Sequence, residues 1–311
     1  MLKEFAVDPR VIASSFETCR YLFSQFGADK GRLISRFPKT WKRMAIDAAD
    51  KLPDGFKKER VIDYLSSINN DWLTLVGSGR SYENFSVDWL DNAMLAHKTQ
   101  PFQAIVCELN DSQNHLIDAN SCDENHPLFA VSKTCAVNRK ADELAKIATL
   151  MLQSCRKLRL VDPYFNPARL KWRGSLAAIL LLIPDISLVE CEYHLLESEK
   201  SPSTDKLIED LQKLNGVIPA RGELRIIRWK EKAGGERFHR RYLLTENAGL
   251  NYEGGLDPEI YAVQTTDVSL MDRDHHHTRW AEYDLISEVY DLVLPVLIID
   301  SNGKVSKVNI I

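Results

Sequence analysis

Three residues in one stretch have the types and spacing to do chemistry together. They are His239, Arg241 and Glu246, within Arg237–Pro258 (R-F-H-R-R-Y-L-L-T-E-N-A-G-L-N-Y-E-G-G-L-D-P). The spacing is H-x-[KR]-x4-[DE]. An imidazole at the first position can attack as a nucleophile, a carboxylate can hold its ring, and a fixed cation can sit where negative charge develops. Arg suits phosphate oxygens because its planar fork binds them bidentately and stays charged. A second formal match, His277 and Arg279 with Asp284, runs into W-A-E-Y-D-L-I-S-E-V-Y-D-L. That continuation has a helical pattern, and this match is read as coincidence.

The first match has a context of its own. Arg241–Thr245 has a strand-like pattern, and Gly249–Glu253 would pair with it across an Asn-Ala-Gly turn. The segment H-R-R-Y-L-L-T-E-N-A-G-L-N-Y-E-G-G-L-D resembles the H-x-K-x4-D motif of the phospholipase D superfamily. It resembles most closely the domain at the C-terminus of MIT-domain proteins. The positions that carry the likeness are His239-Arg240-Arg241, Asn247 with Gly249, Gly254-Gly255-Leu256-Asp257, and the earlier Asp162-Pro163-Tyr164. The resemblance covers about residues 130–295. It implies a phospholipase D-like fold with His239 as nucleophile, Arg241 as charge stabiliser and Glu246 as orienting carboxylate. It also implies a phosphate-binding set of Arg240, Asn247, Gly254, Gly255, Asp162 and Tyr164. The chain departs from the pattern in having Arg241 for Lys, Glu246 for Asp, and Leu256-Asp257 where polar Ser/Thr and Asn would follow the glycines. Active members of the superfamily need two such histidines, and this chain has no internal repeat, so catalysis would require a homodimer. A degenerate site that binds phosphate without turning it over therefore fits the residues better than a working phosphodiesterase.

Other residues admit two readings each. Asp162-Pro163-Tyr164 is either a plain strand-end turn or, at the carboxyl edge of an α/β sheet, part of a ligand site. His275-His276-His277 could suggest a metal, but consecutive side chains diverge on any regular backbone, so a solvated loop is expected and no metal. Lys30–Arg43 holds Lys30, Arg32, Arg36, Lys39, Lys42 and Arg43 with no acid among them, interleaved with Phe37 and Trp41. Such a run can contact nucleic acid, or it can be an amphipathic segment with an apolar core face of Leu33, Ile34, Phe37 and Trp41. Arg221–Arg241 is a second basic stretch, with eight Lys/Arg against three Glu, and it leads into His239. Two basic segments beside a phosphate-type motif favour a polyanionic ligand.

The elements that must position these residues follow from pattern and composition. With 311 residues, 44% of them hydrophobic and 27% charged, the chain is of ordinary globular type and long enough for two domains. The first, residues 1–128, is expected to be mainly helical, with helices over Arg10–Phe26, Lys39–Leu52 and Lys58–Ile68 and with Trp41 and Trp72 at least partly buried. Phe102–Leu109 has a strand-like pattern, and Asn110–Pro127 is read as a long loop or domain boundary. The second, residues 129–311, alternates strands and helices, which predicts an α/β domain with a largely parallel sheet. Its expected elements are strands over Ala130–Val137, Lys157–Val161, Ser187–Leu195 and Glu223–Trp229, and helices over Lys140–Arg156, Trp172–Ile183 and Thr204–Leu214.

Net charge is −4, but residues 1–60 carry thirteen Lys/Arg and eight Asp/Glu, while residues 61–130 carry two and ten. The longest apolar run, Leu176–Ile183, is far short of the ~20 residues a membrane span needs. The six cysteines show no C-x-x-C spacing, and no signal-peptide pattern opens the chain. A cytoplasmic protein with reduced thiols and no cofactor is the expectation. The function expected is a nucleic-acid-engaging subunit of a bacterial antiphage-defence-type complex, since bacterial chains with a similar H-x-R-Y-L-L-T segment resemble such components. The rivals are an active metal-independent nuclease, a structural adaptor docking a partner ATPase or nuclease, and a peripheral membrane module.

Overall fold

In a computed structural model, residues 1–68, 75–77, 79–109, 115–259 and 263–309 are described. Trp72 lies outside them. The chain divides into two compact units, Met1–Lys133 and Thr134–Ile311.

The first unit is built on a sheet rather than on helices alone. Strands β1 (Lys3–Val7), β2 (Arg32–Ser35), β3 (Leu75–Val76), β4 (Ile105–Cys107) and β5 (Leu116–Asp118) form one sheet in the order β3-β2-β1-β4-β5, every pair parallel. The expectation of a mainly helical domain is corrected on this point. A sheet covered on both faces has no polar alternation along its strands, so segments of two to five residues such as R-L-I-S leave no periodic trace. The expected loop over Asn110–Pro127 likewise contains β5 and a short 3-10 turn, Ala119–Ser121. Helices Phe16–Gln25, Trp41–Ala49, Phe56–Ser67 and Trp89–Thr99 flank the sheet. One apolar cluster joins Phe5 and Val7 to Ile34 and Trp41, and the opposite one joins Ala6 to Phe37 and Trp89. Each indole is tied to backbone: Trp41 Nε1 donates to the Val7 carbonyl at 2.6 Å, and Trp89 Nε1 to that of Phe37 at 2.8 Å.

The second unit carries a nine-stranded sheet. Its strands are β6 (Thr134–Asn138), β7 (Lys157–Val161), β8 (Glu190–Leu196), β9 (Glu223–Lys230), β10 (Tyr242–Thr245), β11 (Gly249–Tyr252), β12 (Thr265–Leu270), β13 (Asp291–Asp300) and β14 (Val305–Val308). The order is β14-β13-β9-β8-β7-β10-β11-β12-β6. Only β7–β8 and β8–β9 are parallel, so the largely parallel sheet expected from the sequence is corrected to a mixed one. Connection length explains the difference. The two parallel pairs are joined by crossovers carrying the helices Leu170–Leu180 and Thr204–Leu211, whereas three residues join β10 to β11 and four join β13 to β14, which forces hairpins. The expected helix over Lys140–Arg156 is two short ones, Ala141–Lys146 and Thr149–Leu152.

The three histidines do not form a solvated loop. They lie on the helix Arg273–Glu282, where His276 is 3% exposed and its Nε2 meets the Thr245 carbonyl at 2.9 Å. Gly249 makes room for this helix: a Cβ there would stand 2.7 Å from Met271 Sδ and 3.1 Å from His276 Cδ2. A buried polar chain also crosses the sheet. Arg159 on β7 pairs with Glu192 on β8 at 2.8 Å, Glu192 faces His194 Nε2 at 3.3 Å, and His194 Nδ1 accepts from Trp229 Nε1 at 2.9 Å. Burial lowers the His194 pKa, and the indole bond assigns its remaining proton to Nε2, where it is donated to Glu192.

The core role of Trp41 sets a stability test for the basic segment. Trp41→Ala should cost about 3–5 kcal/mol in urea unfolding, the range for deleting a buried aromatic, while Lys39→Ala on the exposed surface should stay within about 0.5 kcal/mol.

Candidate functional site

The site forms at the carboxyl end of β7. Pro163 lacks an N–H to continue the ladder, so the strand stops and leaves Asp162 at the edge. Strand β10 runs antiparallel beside β7 with Tyr242 opposite Val161, which brings Arg241 to the same edge as Asp162. Asp162 is 1% exposed. Its Oδ1 accepts from the Tyr164 amide at 3.0 Å and its Oδ2 from the Leu256 amide at 3.2 Å. The second bond requires the Gly254-Gly255 loop to come close. Gly255 has φ +105°, and a Cβ there would stand 2.9 Å from Asp257 Oδ1, 3.4 Å from Asp162 Oδ2 and 3.8 Å from Arg241 Nε. Gly254 N donates to Thr266 Oγ1 at 2.7 Å, and a Cβ on Gly254 would lie 2.8 Å from the same oxygen.

Charge is unevenly used around this corner. Arg139 is held by Asp257 at 3.0 Å and Glu259 at 3.1 Å, and Lys171 also pairs with Asp257. Among the described residues the Arg241 guanidinium makes one hydrogen bond, to the Glu253 carbonyl at 3.2 Å, and its Cζ lies 5.3 Å from the centroid of the Tyr164 ring. Arg169 has no carboxylate within ion-pair distance among the described residues, and neither has Arg241. An open pocket of about 390 Å³ is lined by Arg139, Tyr164, Arg169, Lys171 and Gly254, among others. Two uncommitted guanidinium groups beside an exposed tyrosine can take up an anion with a planar group attached. Burial pushes the Asp162 carboxyl up to about 6, against the pull of the two amide bonds and of Arg241.

The remaining expected residues are placed elsewhere. Glu246 does not orient His239. Its carboxylate accepts from the amides of Arg156 at 2.8 Å and Lys157 at 3.0 Å, tying the far end of β10 to the start of β7. Five residue steps along extended chain separate it from Arg241, about 16 Å. His239 is exposed, with Nδ1 3.1 Å from the Arg237 carbonyl and no carboxylate partner among the described residues. Arg240 faces Glu236 at 4.0 Å and contributes to the field at Tyr242, away from Asp162. Asn247 occupies the β10–β11 turn, at the same far end as Glu246. Asp162, Tyr164, Arg241, Gly254 and Gly255 are therefore brought together, and Glu246, Arg240 and Asn247 are not.

In the basic segment, Arg32 is 3% exposed and cannot reach a phosphate. Its Nε donates to the Gln25 carbonyl at 2.8 Å and its guanidinium covers the Phe129 ring at 4.7 Å. Lys30 donates to the Ser24 carbonyl, Lys42 to that of Ser66 at 3.0 Å, and Arg43 faces Asp47 at 4.0 Å. Arg36 packs over Gly77, whose Cβ would meet its Nη2 at 2.9 Å, and Lys39 is exposed. Phe37 and Trp41 are buried and offer no stacking face. The first unit has its own crevice of about 500 Å³ beyond β1, β4 and β5, but Asp8, Glu108 and Asp118 outweigh Arg10 there, which disfavours phosphate. Sequence reasoning missed Arg139, Arg169, Lys171 and Glu259. Asp257 stood in the quoted Gly-Gly-Leu-Asp, but nothing in the spacing marked the other four.

No family model matches the chain, and no curated protein matches it. Among solved structures it is similar to TrmBL2, an archaeal chromatin protein whose structure shows a novel mode of DNA binding. The identity is 14% and the TM-score 0.27, over 52% of this chain and 55% of that one, so about half the length of TrmBL2 is spanned. A likeness at that score carries no argument about this protein. Among the described residues no helix is long and apolar enough to cross a membrane, and no group of His, Cys, Asp and Glu side chains is arranged to hold a metal ion.

The Asp162 carboxyl sets a pH test. With its folded pKa raised to about 6, the native state holds a proton that the unfolded chain releases near 4, so this group's stabilisation is complete below about 4 and is lost as pH rises through about 6. Asp162→Asn should lack that slope. The stability difference should move in favour of the variant by up to about 3 kcal/mol across this window, read from urea unfolding at a series of pH values.

Proposed function

We propose that the second unit is a phospholipase D-like domain that engages the phosphodiester backbone of nucleic acid without cleaving it. The observation that carries this reading is the pairing of two uncommitted cations, Arg241 and Arg169, with the exposed Tyr164 at the edge formed by Asp162 and the glycine loop. Arg241 is the residue that the motif resemblance marks for phosphate. The absence of cleavage is supported by Glu246, whose carboxylate is spent on two backbone amides at the other end of the strand. A His239 nucleophile would have no orienting carboxylate from this motif. The wider role, as a subunit of a bacterial antiphage-defence assembly, is proposed from the motif resemblance alone.

Salt-controlled binding of short DNA and RNA strands tests the reading. Arg241→Ala should weaken binding by about 1.5–3 kcal/mol, the range for hydrogen bonds to charged groups, and should reduce the salt slope. His239→Ala and Glu246→Gln should bind like wild type, and none of the proteins should release cleavage products. Cleavage that disappears in His239→Ala would replace this reading with a nuclease.

A further inference from the structure

A second pocket, of about 490 Å³, lies beyond the carboxyl ends of β7 and β8 and shares Tyr164 and Asn166 with the phosphate corner. Phe165, Leu195 and Leu207 give it an apolar wall, and Ser198 and Ser201 add hydroxyls. The pocket is more than wide enough for one flat heterocycle. Phe165 is locked in place by stacking on Tyr193 at 3.9 Å between centroids, so that wall is rigid. Tyr164, 62% exposed, stands between the two pockets with the Arg241 guanidinium beside its ring.

One buried donor in the lining has nothing to donate to. Arg228 is 3% exposed, with Nη1 2.9 Å from Thr204 Oγ1 and 3.4 Å from Glu197, and Nη2 3.3 Å from the Pro295 carbonyl. Its Nε has no partner. That nitrogen is sealed from solvent, so a ligand in the pocket does not reach it. The Ser198 and Ser201 hydroxyls are bonded to each other and to the Leu196 carbonyl, so the pocket selects by shape and stacking rather than by hydrogen bonds.

From this adjacency we infer that the pocket receives an unpaired nucleobase of the strand whose backbone lies at Arg241 and Arg169. The inference rests on the phosphodiester reading above. It makes the ligand single-stranded, because a base held in a duplex cannot leave its partner to enter a pocket without breaking the pair. Tyr164 then acts twice: as a stacking platform for the base and as the neighbour of the Arg241 guanidinium.

The test compares a short oligothymidine strand, an abasic strand of equal length, the matching duplex, and vesicles of phosphatidylcholine with phosphoinositide, all against the full chain at fixed salt. Wild type should bind oligothymidine at least about tenfold tighter than the abasic strand or the duplex, the scale of one base–aromatic stack. Tyr164→Ala, and Ser198→Trp placed at the exposed mouth to fill the pocket, should lose that preference. Ser198→Trp should keep the abasic affinity and its salt slope, which also shows that it folds. Equal wild-type affinity for oligothymidine and the abasic strand would overturn the base pocket while leaving the phosphodiester reading intact, and so would a preference for duplex. Binding to none of the strands, with or without vesicle binding, would remove both.

Discussion

The second unit depends on one desolvated carboxylate. Asp162 is sealed at the end of β7, where water cannot satisfy it, and so it captures the amides of Tyr164 and Leu256. An ionised group in such a position is costly unless hydrogen bonds and a cation offset the loss of solvent. That demand propagates outward. It turns the chain sharply after β7 and leaves the Tyr164 ring exposed. It also draws in the loop after β11 so closely that no side chain fits at Gly255, and it makes a neighbouring guanidinium favourable at Arg241.

Around that centre the cations are sorted by whether an acid has already claimed them. Arg139 and Lys171 are committed to Asp257, which anchors the glycine loop to the helix Leu170–Leu180 and to the residue after β6. These pairs stiffen the rim and contribute little net charge. Arg241 and Arg169 keep most of their donors free, so an incoming anion does not have to displace an internal carboxylate to reach them. The same distinction explains why a run of six basic residues near the N-terminus forms no comparable surface. There Lys30, Lys42 and Arg43 reach a backbone carbonyl or a neighbouring acid, Arg32 is inside the fold, and Lys39 is exposed.

The other face of the sheet solves a different problem. Arg159 and Glu192 are opposite one another on parallel strands and both are buried, which would be expensive for either alone. Their pairing, extended through His194 to the Trp229 indole, satisfies the buried polar atoms while fixing the register of β7, β8 and β9. A one-residue slip of β8 would point both charges into opposite layers. The register in turn sets where β7 ends, and therefore where Asp162 stands.

Much of this was legible in the sequence. The helices Phe16–Gln25, Trp41–Ala49 and Thr204–Leu211 follow from periodicity, because amphipathic surface helices must repeat their apolar face. The hairpin of β10 and β11 follows from two apolar runs across a short turn, and the gathering of Asp162, Arg241 and the glycine pair is what the family resemblance implies. Of the first unit's parallel sheet only the strand within Phe102–Leu109 was legible, since short strands buried on both faces carry no alternation. The sequence does not decide which strands cross over and which turn back, because that depends on which connections have room for a helix. Nor does spacing alone say that Glu246 leaves the site: H-x-R-x4-E is a distance along the chain, and an extended strand turns it into a separation in space that puts the carboxylate at the opposite edge of the sheet. The sequence marked Arg241 as a candidate cation for phosphate and left Arg169 unmarked. Tertiary structure alone decided which cations remain unpaired, because a cation's partners come from distant segments that only folding brings within reach.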